Sequence, residues 1–155
     1  MNSIADELTG HRFFAGMDVA HLELLAGCGR NIVIPGGESI IREGTHADQF
    51  WALRSGRVAL GVMVPARGMR TIETLHAGDV LGWAWLFPPY RWHFDARAVD
   101  GVRAIAFDGA CLRGKCEEDT RLGYALMQRF AAVMIDRLQH TRFRLLDVYG
   151  GAAVR

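Results

Sequence analysis

The sequence lacks an excess of charge of either sign. Lysine and arginine together number 18 and aspartate and glutamate 17, for a formal net charge of +1. Such a balance gives no general attraction to nucleic acid or to an anionic membrane. No basic stripe is visible either, so the charge disfavours direct DNA binding and a membrane partner.

The sequence also lacks a long hydrophobic run. Its most apolar stretch, residues 124–135, is interrupted by Gln128 and Arg129, whereas a membrane-spanning helix needs about 20 apolar residues. The first ten residues carry Asp6 and Glu7 and no apolar centre, which does not fit a secretory signal. We therefore expect a cytoplasmic protein.

Cysteine is scarce, with Cys28, Cys111 and Cys116 in 155 residues. An odd number of cysteines in a chain long enough to build a full core indicates reduced thiols of a cytoplasmic protein rather than a disulfide framework. Cys111 and Cys116 have no second pair in the sequence, so we expect neither a zinc nor an iron–sulfur site.

Catalytic motifs are missing as well. His46, His76 and His93 are isolated, although a metal-binding β-barrel needs clustered histidines and a carboxylate. No nucleophile elbow, phosphate-loop lysine or paired catalytic carboxylates occur. We predict that the protein is not an enzyme, has no catalytic residue and needs no metal or cofactor.

The middle of the chain repeats a short apolar segment followed by a glycine turn. This pattern of many short strands is typical of a β-sandwich or a rolled barrel. Residues 30–108 are therefore predicted to form a β-roll. The segments predicted as strands are 30–34, 39–42, 50–53, 57–64, 70–75, 94–99 and 102–107.

Helices are predicted on both sides of this roll, in residues 1–29 and 109–149. Asp18 is a suitable N-cap for a helix that contains Leu22 and Leu25, and Asp108 is one for the helix that follows the last strand. Phe13 and Phe14 are expected in the core. We predict one domain over residues 1–155.

The long C-terminal helix has more than one apolar face. One face could cover the roll; it comprises Leu122, Leu126, Phe130, Met134 and Leu138. A second face, Met127, Ala131 and Ile135, then needs another partner. The same helix of a second subunit would supply it in a symmetric homodimer, and the alternative is that the N-terminal helices cover it.

An ordered set of short motifs runs through residues 12–148. They are Phe13-Phe14, Pro35-Gly36-Gly37-Glu38, Ile41-Arg42-Glu43-Gly44, Ala47-Asp48, Ser55-Gly56-Arg57-Val58, Gly78-Asp79, Gly82 and Arg137-Leu138-Gln139-His140-Thr141. In this order they resemble the cyclic nucleotide-binding domain of the catabolite activator and Fnr superfamily. The resemblance implies a double-stranded β-helix (a β-roll or jelly roll) of eight strands with flanking helices. It also implies a phosphate-binding cassette at residues 82–98 and a dimer helix at the C-terminus.

The cassette departs from the family pattern at two positions. The acidic residue that accepts the ribose hydroxyl is replaced by Trp83, whose ring nitrogen only donates. The phosphate arginine falls on Trp92, with Arg91 one position early, and such a slip on a strand turns a side chain to the opposite face. The ligand-binding residues that the resemblance implies are Gly82, Trp83, Ala84, Arg91, Trp92, His93, Arg137 and Thr141.

Two functions fit this altered cassette. The first is a regulatory domain that senses a cyclic nucleotide or another anionic ligand and acts through its dimer helix on an unknown effector protein. Here Trp83, Trp85 and Trp92 would stack on a flat ligand. The second is a ligand-free interaction or scaffolding module in which these rings fill the pocket. Few residues follow Gly150, so no helix-turn-helix domain is expected.

Overall fold

Eight β-strands form two four-stranded antiparallel sheets in the computed structural model, which describes residues 3–153 of the chain and the side chains of residues 3–147. One sheet has the order β1-β8-β3-β6 and the other β2-β7-β4-β5. The strands are β1 Gly29–Ile34, β2 Ser39–Ile41, β3 Gln49–Ser55, β4 Val58–Val64, β5 Gly68–Leu75, β6 Val80–Leu81, β7 Asp95–Ala98 and β8 Val102–Asp108. The predicted β-roll is confirmed.

Strand β3 separates two apolar clusters. Its side chains alternate between faces, so Phe50 packs with the helices while Trp51 and Leu53 pack inside the roll. Strand β6 was missed by the sequence analysis because two residues carry no periodicity. The pairing of β6 with β3 nevertheless sets the position of Gly82, which follows it directly.

Two helices precede the strands of the roll in the sequence and two follow them. They are α1 Ile4–Thr9, α2 Val19–Ala26, α3 Gly109–Glu118 and α4 Thr120–Ala153. The Asp18 carboxylate accepts the Ala20 N–H at 2.9 Å and the Asp108 carboxylate accepts the Cys111 N–H at 2.8 Å. Both predicted N-caps are confirmed, and Phe13 and Phe14 are buried as predicted.

Helix α4 covers the roll with only the first part of its predicted inner face. Leu122, Leu126 and Phe130 are fully buried, but Leu138 is 56% exposed. The placement of Leu138 on the inner face is therefore wrong, because at this turn of the helix the side chain that contacts the roll is that of Arg137. Within residues 3–153, no helix is both long enough and apolar enough to cross a membrane.

The expectation of three reduced thiols is also wrong. Cys28 and Cys111 form a disulfide although they are 83 residues apart, and Cys116 is free. Antiparallel pairing of β1 with β8 sets Gly29 opposite Phe107 and so brings the residues just before β1 and just after β8 together. Sequence spacing gave no sign of this pairing because the contact exists only after the sheet has formed.

Candidate functional site

The segment from Gly82 to Phe94 connects β6 to β7 and carries most of the predicted site. Gly82 has a φ of +98°, a conformation that residues with a Cβ rarely adopt. A short 3-10 helix, Ala84–Leu86, follows with Trp83 at its N-cap position. We call residues 82–94 the cassette loop.

The ring of Trp92 occupies the space beside Gly82. A Cβ added to Gly82 would lie 2.6 Å from Cη2 of Trp92. Trp92 is only 4% exposed, and its ring centroid lies 6.0 Å from that of Trp51 and 6.2 Å from that of Phe94. The tryptophan at the predicted arginine position thus belongs to the core of the roll.

Backbone hydrogen bonds fix the direction in which Trp92 points. The Trp92 N–H donates to the Thr45 carbonyl at 3.0 Å, and the Gly44 N–H donates to the Trp92 carbonyl at 2.8 Å. In this extended pairing neighbouring side chains point to opposite faces. Arg91 and His93 are accordingly exposed, so the structure separates both from Gly82 and Trp92.

Trp83 lies against Arg137 of helix α4. The guanidinium carbon is 4.8 Å from the ring centroid, within cation–π range. The same guanidinium donates to the Val80 carbonyl at 2.8 Å and lies 3.5 Å from the Glu73 carboxylate. The structure therefore brings Trp83 and Arg137 together, with the loop joined to the helix through their contact.

Burial shapes the electrostatics of Arg137. Its side chain is 12% exposed. Burial lowers the pKa of Arg137, and the nearby carboxylates, chiefly that of Glu73, oppose the shift. Among the described residues Nη1 of Arg137 is buried without a hydrogen-bond partner, which is costly for a charged donor.

Two spaces of very different size adjoin the predicted ligand-binding residues of α4. Thr141 is exposed, and its hydroxyl donates to the Arg137 carbonyl at 3.0 Å. A pocket of about 40 Å³ is lined in part by Arg137 and Thr141, whereas ligand pockets measure roughly 300–1,000 Å³. A wider cleft of about 440 Å³ reaches Arg137 between β5, the β5–β6 turn and α4.

Ala84 and Trp85 are the members of the 3-10 helix that lie in the core. Ala84 is buried, and Trp85 is fully buried with its ring stacked on Phe50 at 5.2 Å. Sequence reasoning missed Arg113 of helix α3, whose Nη1 donates to the Trp85 carbonyl at 2.6 Å and whose guanidinium lies 4.4 Å from the Tyr90 ring centroid. No sequence motif links Arg113 to this loop, since the contact arises from tertiary packing alone.

Comparison with known proteins identifies the family. The sequence model described as the cyclic nucleotide-binding domain matches residues 32–119. The chain belongs to the cyclic nucleotide-binding domain family. The matched residues include the whole cassette loop and end before α4, so Arg137 and Thr141 lie outside the match.

Individual relatives agree with this assignment. A Geobacter metallireducens GS-15 protein described as a cyclic nucleotide-binding protein is 31% identical, with a TM-score of 0.79 over 89% of this chain and 99% of that one. A CRP-like cAMP-activated global transcriptional regulator of Mycobacterium tuberculosis is 23% identical over 135 residues, which are 87% of this chain and 58% of the regulator. This chain therefore spans little more than half the length of that relative.

The fold is shared with a eukaryotic regulatory domain. The regulatory domain of Toxoplasma gondii PKA in complex with cAMP has a TM-score of 0.70 at 17% identity, covering 86% of this chain and 49% of that one. At this identity the similarity shows the fold. The family as a whole is a regulatory, nucleotide-binding one, and the relatives named above are described as binding or regulatory proteins.

Proposed function

We propose that this chain is a regulatory protein-interaction module that uses the cyclic nucleotide-binding fold without a cyclic nucleotide. It acts as a homodimer through helix α4 on a partner protein, and it is not an enzyme. The single observation that carries the proposal is the ring of Trp92 beside Gly82.

The contact between Trp92 and Gly82 supports a closed pocket. In the family pattern the space beside this glycine receives a phosphate group, which an arginine neutralises. Here the space holds an apolar ring that packs on Trp51 and Phe94. A phosphate could enter only if Trp92 left the core, and it would then meet no arginine from this position because Arg91 is exposed.

The contact between Trp83 and Arg137 supports the same proposal. In the sensing hypothesis a bound ligand would contact both the cassette loop and helix α4 and so connect them. In this chain the Trp83 ring and the Val80 carbonyl contact Arg137 directly. The helix is thus joined to the roll by protein groups, and its position needs no ligand.

The exposed face of α4 supports a homodimer. Apolar residues recur on it at a spacing of three and four: Tyr124, Met127, Ala131, Ile135 and Leu138, with Leu145 seven residues further on. Sustained spacing of this kind is typical of a coiled-coil seam. Tyr124, Met127, Leu138 and Leu145 are exposed in the single chain, and a helix of 34 residues is about 51 Å long, ample for a stable seam. Thr141 falls on the same seam.

A small-molecule sensor remains the second candidate because of Arg137. Its buried, unpartnered Nη1 group would gain an acceptor from an anionic ligand. Such a ligand would have to displace Trp83 or Trp92, and it would shift α4 only by as much as it prefers the displaced arrangement. A flat anion that stacks on the displaced tryptophan ring fits this chemistry.

Calorimetric titration of the full chain with cAMP and cGMP separates the two candidates. We expect no binding heat and no thermal shift with either nucleotide, because the ring of Trp92 fills the phosphate position. Binding by the wild-type chain at micromolar concentration would overturn the closed-pocket proposal.

A variant in which the family residues are restored provides the positive control. Trp83→Glu combined with Trp92→Arg returns the acidic group and the arginine to the positions that the family pattern gives them. Gain of cAMP or cGMP binding by a folded double variant would support the proposal that the two tryptophans close the site. Sedimentation equilibrium of the wild-type chain tests the dimer, and a monomer at high micromolar concentration would contradict it.

A further inference from the structure

The Cys28–Cys111 disulfide joins the N-terminal helical region to helix α3. Cys28 lies between α2 and β1, next to the N-terminal helices, and Cys111 lies in the first turn of α3. Only a few polar contacts accompany the bond; the Asp108 N–H donates to the Cys28 carbonyl at 2.9 Å, and Lys115 Nζ donates to the Leu24 carbonyl at 2.7 Å. The disulfide is thus the covalent part of the link between α3 and the N-terminal region.

The disulfide can be reached from the surface. Cys28 and Cys111 both line an open cleft of about 420 Å³, together with Arg30, Gln49 and Asp108. Cys28 is nearly buried and Cys111 is partly exposed. The cleft therefore offers an attacking thiolate an approach to Cys111, and such access is a requirement for thiol–disulfide exchange.

The surroundings favour the thiolates that reduction produces. A Cβ on Gly27 would lie 2.6 Å from the Lys115 ammonium group, so a positive charge lies beside the residue that precedes Cys28. Cys111 occupies the third position of a ten-residue helix, where the positive end of the helix dipole stabilises a thiolate. The Asp108 carboxylate opposes this effect in part, since it caps the same turn.

Helix α3 carries the contact that holds the cassette loop. Arg113, two residues after Cys111, donates to the Trp85 carbonyl and stacks on Tyr90. Tyr90 has a φ of +56°, which is unfavourable for a residue with a Cβ. The Tyr90 carbonyl accepts the Ala47 N–H at 2.7 Å, close to Trp92. A shift of helix α3 would therefore move Arg113 and change its contacts with Trp85 and Tyr90 of the cassette loop.

We propose that Cys28–Cys111 is a redox-active site whose substrate is a small dithiol or a dithiol protein, and that its reduction loosens α3 and the cassette loop. One thiolate of the reductant attacks Sγ of Cys111, the Cys28–Cys111 bond breaks, and Cys28 leaves as a thiolate that takes up a proton. The second thiol of the reductant then attacks the mixed disulfide. The products are two cysteine thiols and an oxidised reductant, so two electrons and two protons have moved. A small disulfide such as oxidised glutathione reverses the reaction.

Thiol counting on the wild-type full chain tests the redox step. Protein purified without reductant is unfolded in guanidinium with a maleimide, and one label is expected, on Cys116. After incubation of the folded protein with dithiothreitol, three labels are expected, and oxidised glutathione should restore one. Three labels before reduction, or one label after it, would overturn the proposal.

Hydrogen exchange tests the effect on the fold. We expect amide hydrogen exchange in residues 109–118 and 83–92 to be at least about tenfold faster in the reduced chain. Without the cross-link, these segments open locally more often. Exchange in β4 should not change. Equal exchange of residues 109–118 and 83–92 in both redox states would contradict the link to the loop.

Two variants serve as controls. Cys116→Ser should give no label before reduction and two after it, with the same redox equilibrium as the wild type. Lys115→Met should shift the equilibrium about threefold or more toward the disulfide, since a stabilising charge is lost from the reduced form. An unchanged equilibrium in Lys115→Met would contradict the stabilisation of the Cys28 thiolate.

Discussion

The cassette loop and the outer face of helix α4 differ in where they place their apolar side chains, and each does the opposite of what is usual for its kind of surface. The loop belongs to a family whose members bind a polar ligand at this place, yet its rings of Trp85 and Trp92 are buried. The outer face of α4 would be polar in a monomer, yet Ile135 is 57% exposed and Leu138 is 56% exposed. The loop therefore places apolar rings in the core, whereas the helix leaves apolar side chains exposed, a feature typical of interaction surfaces.

This difference indicates that the loop and the outer face of α4 contribute to different properties of the protein. Aromatic rings that fill a cavity stabilise the roll in the absence of a ligand. An exposed apolar helix face adds little to the stability of a monomer, and the proposed homodimer would bury it. The comparison predicts that substitutions in the loop change the stability of the fold, and that substitutions on the outer face of α4 change assembly.

The largest effect is expected from Trp92→Ala. Removal of this buried ring leaves a cavity beside Gly82, and we expect the free energy of unfolding to fall by about 3–5 kcal/mol. Urea denaturation followed by circular dichroism measures the change. Arg91→Ala is the matched control, because Arg91 is the adjacent exposed residue and should stay within about 0.5 kcal/mol of wild type. Equal effects of the two substitutions would contradict the placement of Trp92 in the core.

The next effect concerns the outer face of α4. Leu138→Asp places two carboxylates opposite each other in a symmetric seam, so we expect the dimer dissociation constant to rise by about 100-fold or more. Sedimentation equilibrium measures the constant. The stability of the monomer should hardly change.

Val33→Asp is the control for this substitution. Val33 lies on β1, 68% exposed and away from α4, and its replacement should leave the dissociation constant within a few fold of wild type. If both substitutions weaken the dimer alike, the interface lies elsewhere.

A moderate effect is expected from Arg113→Met. This change keeps most of the side-chain volume but removes the charged donor to the Trp85 carbonyl and the stacking on Tyr90. We expect a loss of about 1.5–3 kcal/mol in the free energy of unfolding. Arg121→Met, at an exposed position of α4, should cost little. No difference between the two variants in urea denaturation would show that the loop does not depend on α3.

The smallest effect is a pH dependence at His11, far from both regions. The Phe13 N–H donates to Nδ1 of His11 at 3.2 Å, and Nε2 lies 2.9 Å from the Leu53 carbonyl, which fixes a neutral ring. Burial lowers the pKa of His11 below its ordinary value of 6.5. The stabilisation is therefore complete above pH 6.5 and is lost as the pH falls through the lowered pKa of the folded chain.

Comparison with His11→Gln isolates this contribution. As the pH falls below 6.5, the free energy of unfolding should fall more steeply in the wild type than in the variant, with a slope of at most about 1.4 kcal/mol per pH unit. Parallel pH profiles would contradict the neutral, buried state of His11.

Several elements of the fold could be predicted because their signals are local. Asp18 and Asp108 precede helices and act as caps, and the glycine turns mark the ends of strands. The placement of Arg91 on the opposite face from Trp92 follows from strand alternation. β6 could not be predicted, since two residues have no period, and the register with β3 gives it its position.

The candidate site was predictable in part. The sequence indicated which positions of the family pattern are altered, namely Trp83 and Trp92. It could not decide between rings that stack on a ligand and rings that fill the pocket, because both need the same residues. That decision depends on the distance between Trp92 and Gly82 and on the direct contact of Trp83 with Arg137.

The sequence by itself determined the family, the rolled sheet with its flanking helices, and a long helix with an apolar face to spare. Each follows from periodicity, from turn residues or from an ordered set of motifs, all of which are properties of neighbouring residues. Only the tertiary structure decided that the Trp92 ring lies beside Gly82 in the core, that Arg113 contacts the loop, and that Cys28 is bonded to Cys111. These contacts join residues that are far apart in the chain, and strand pairing and helix packing create them only when the domain folds.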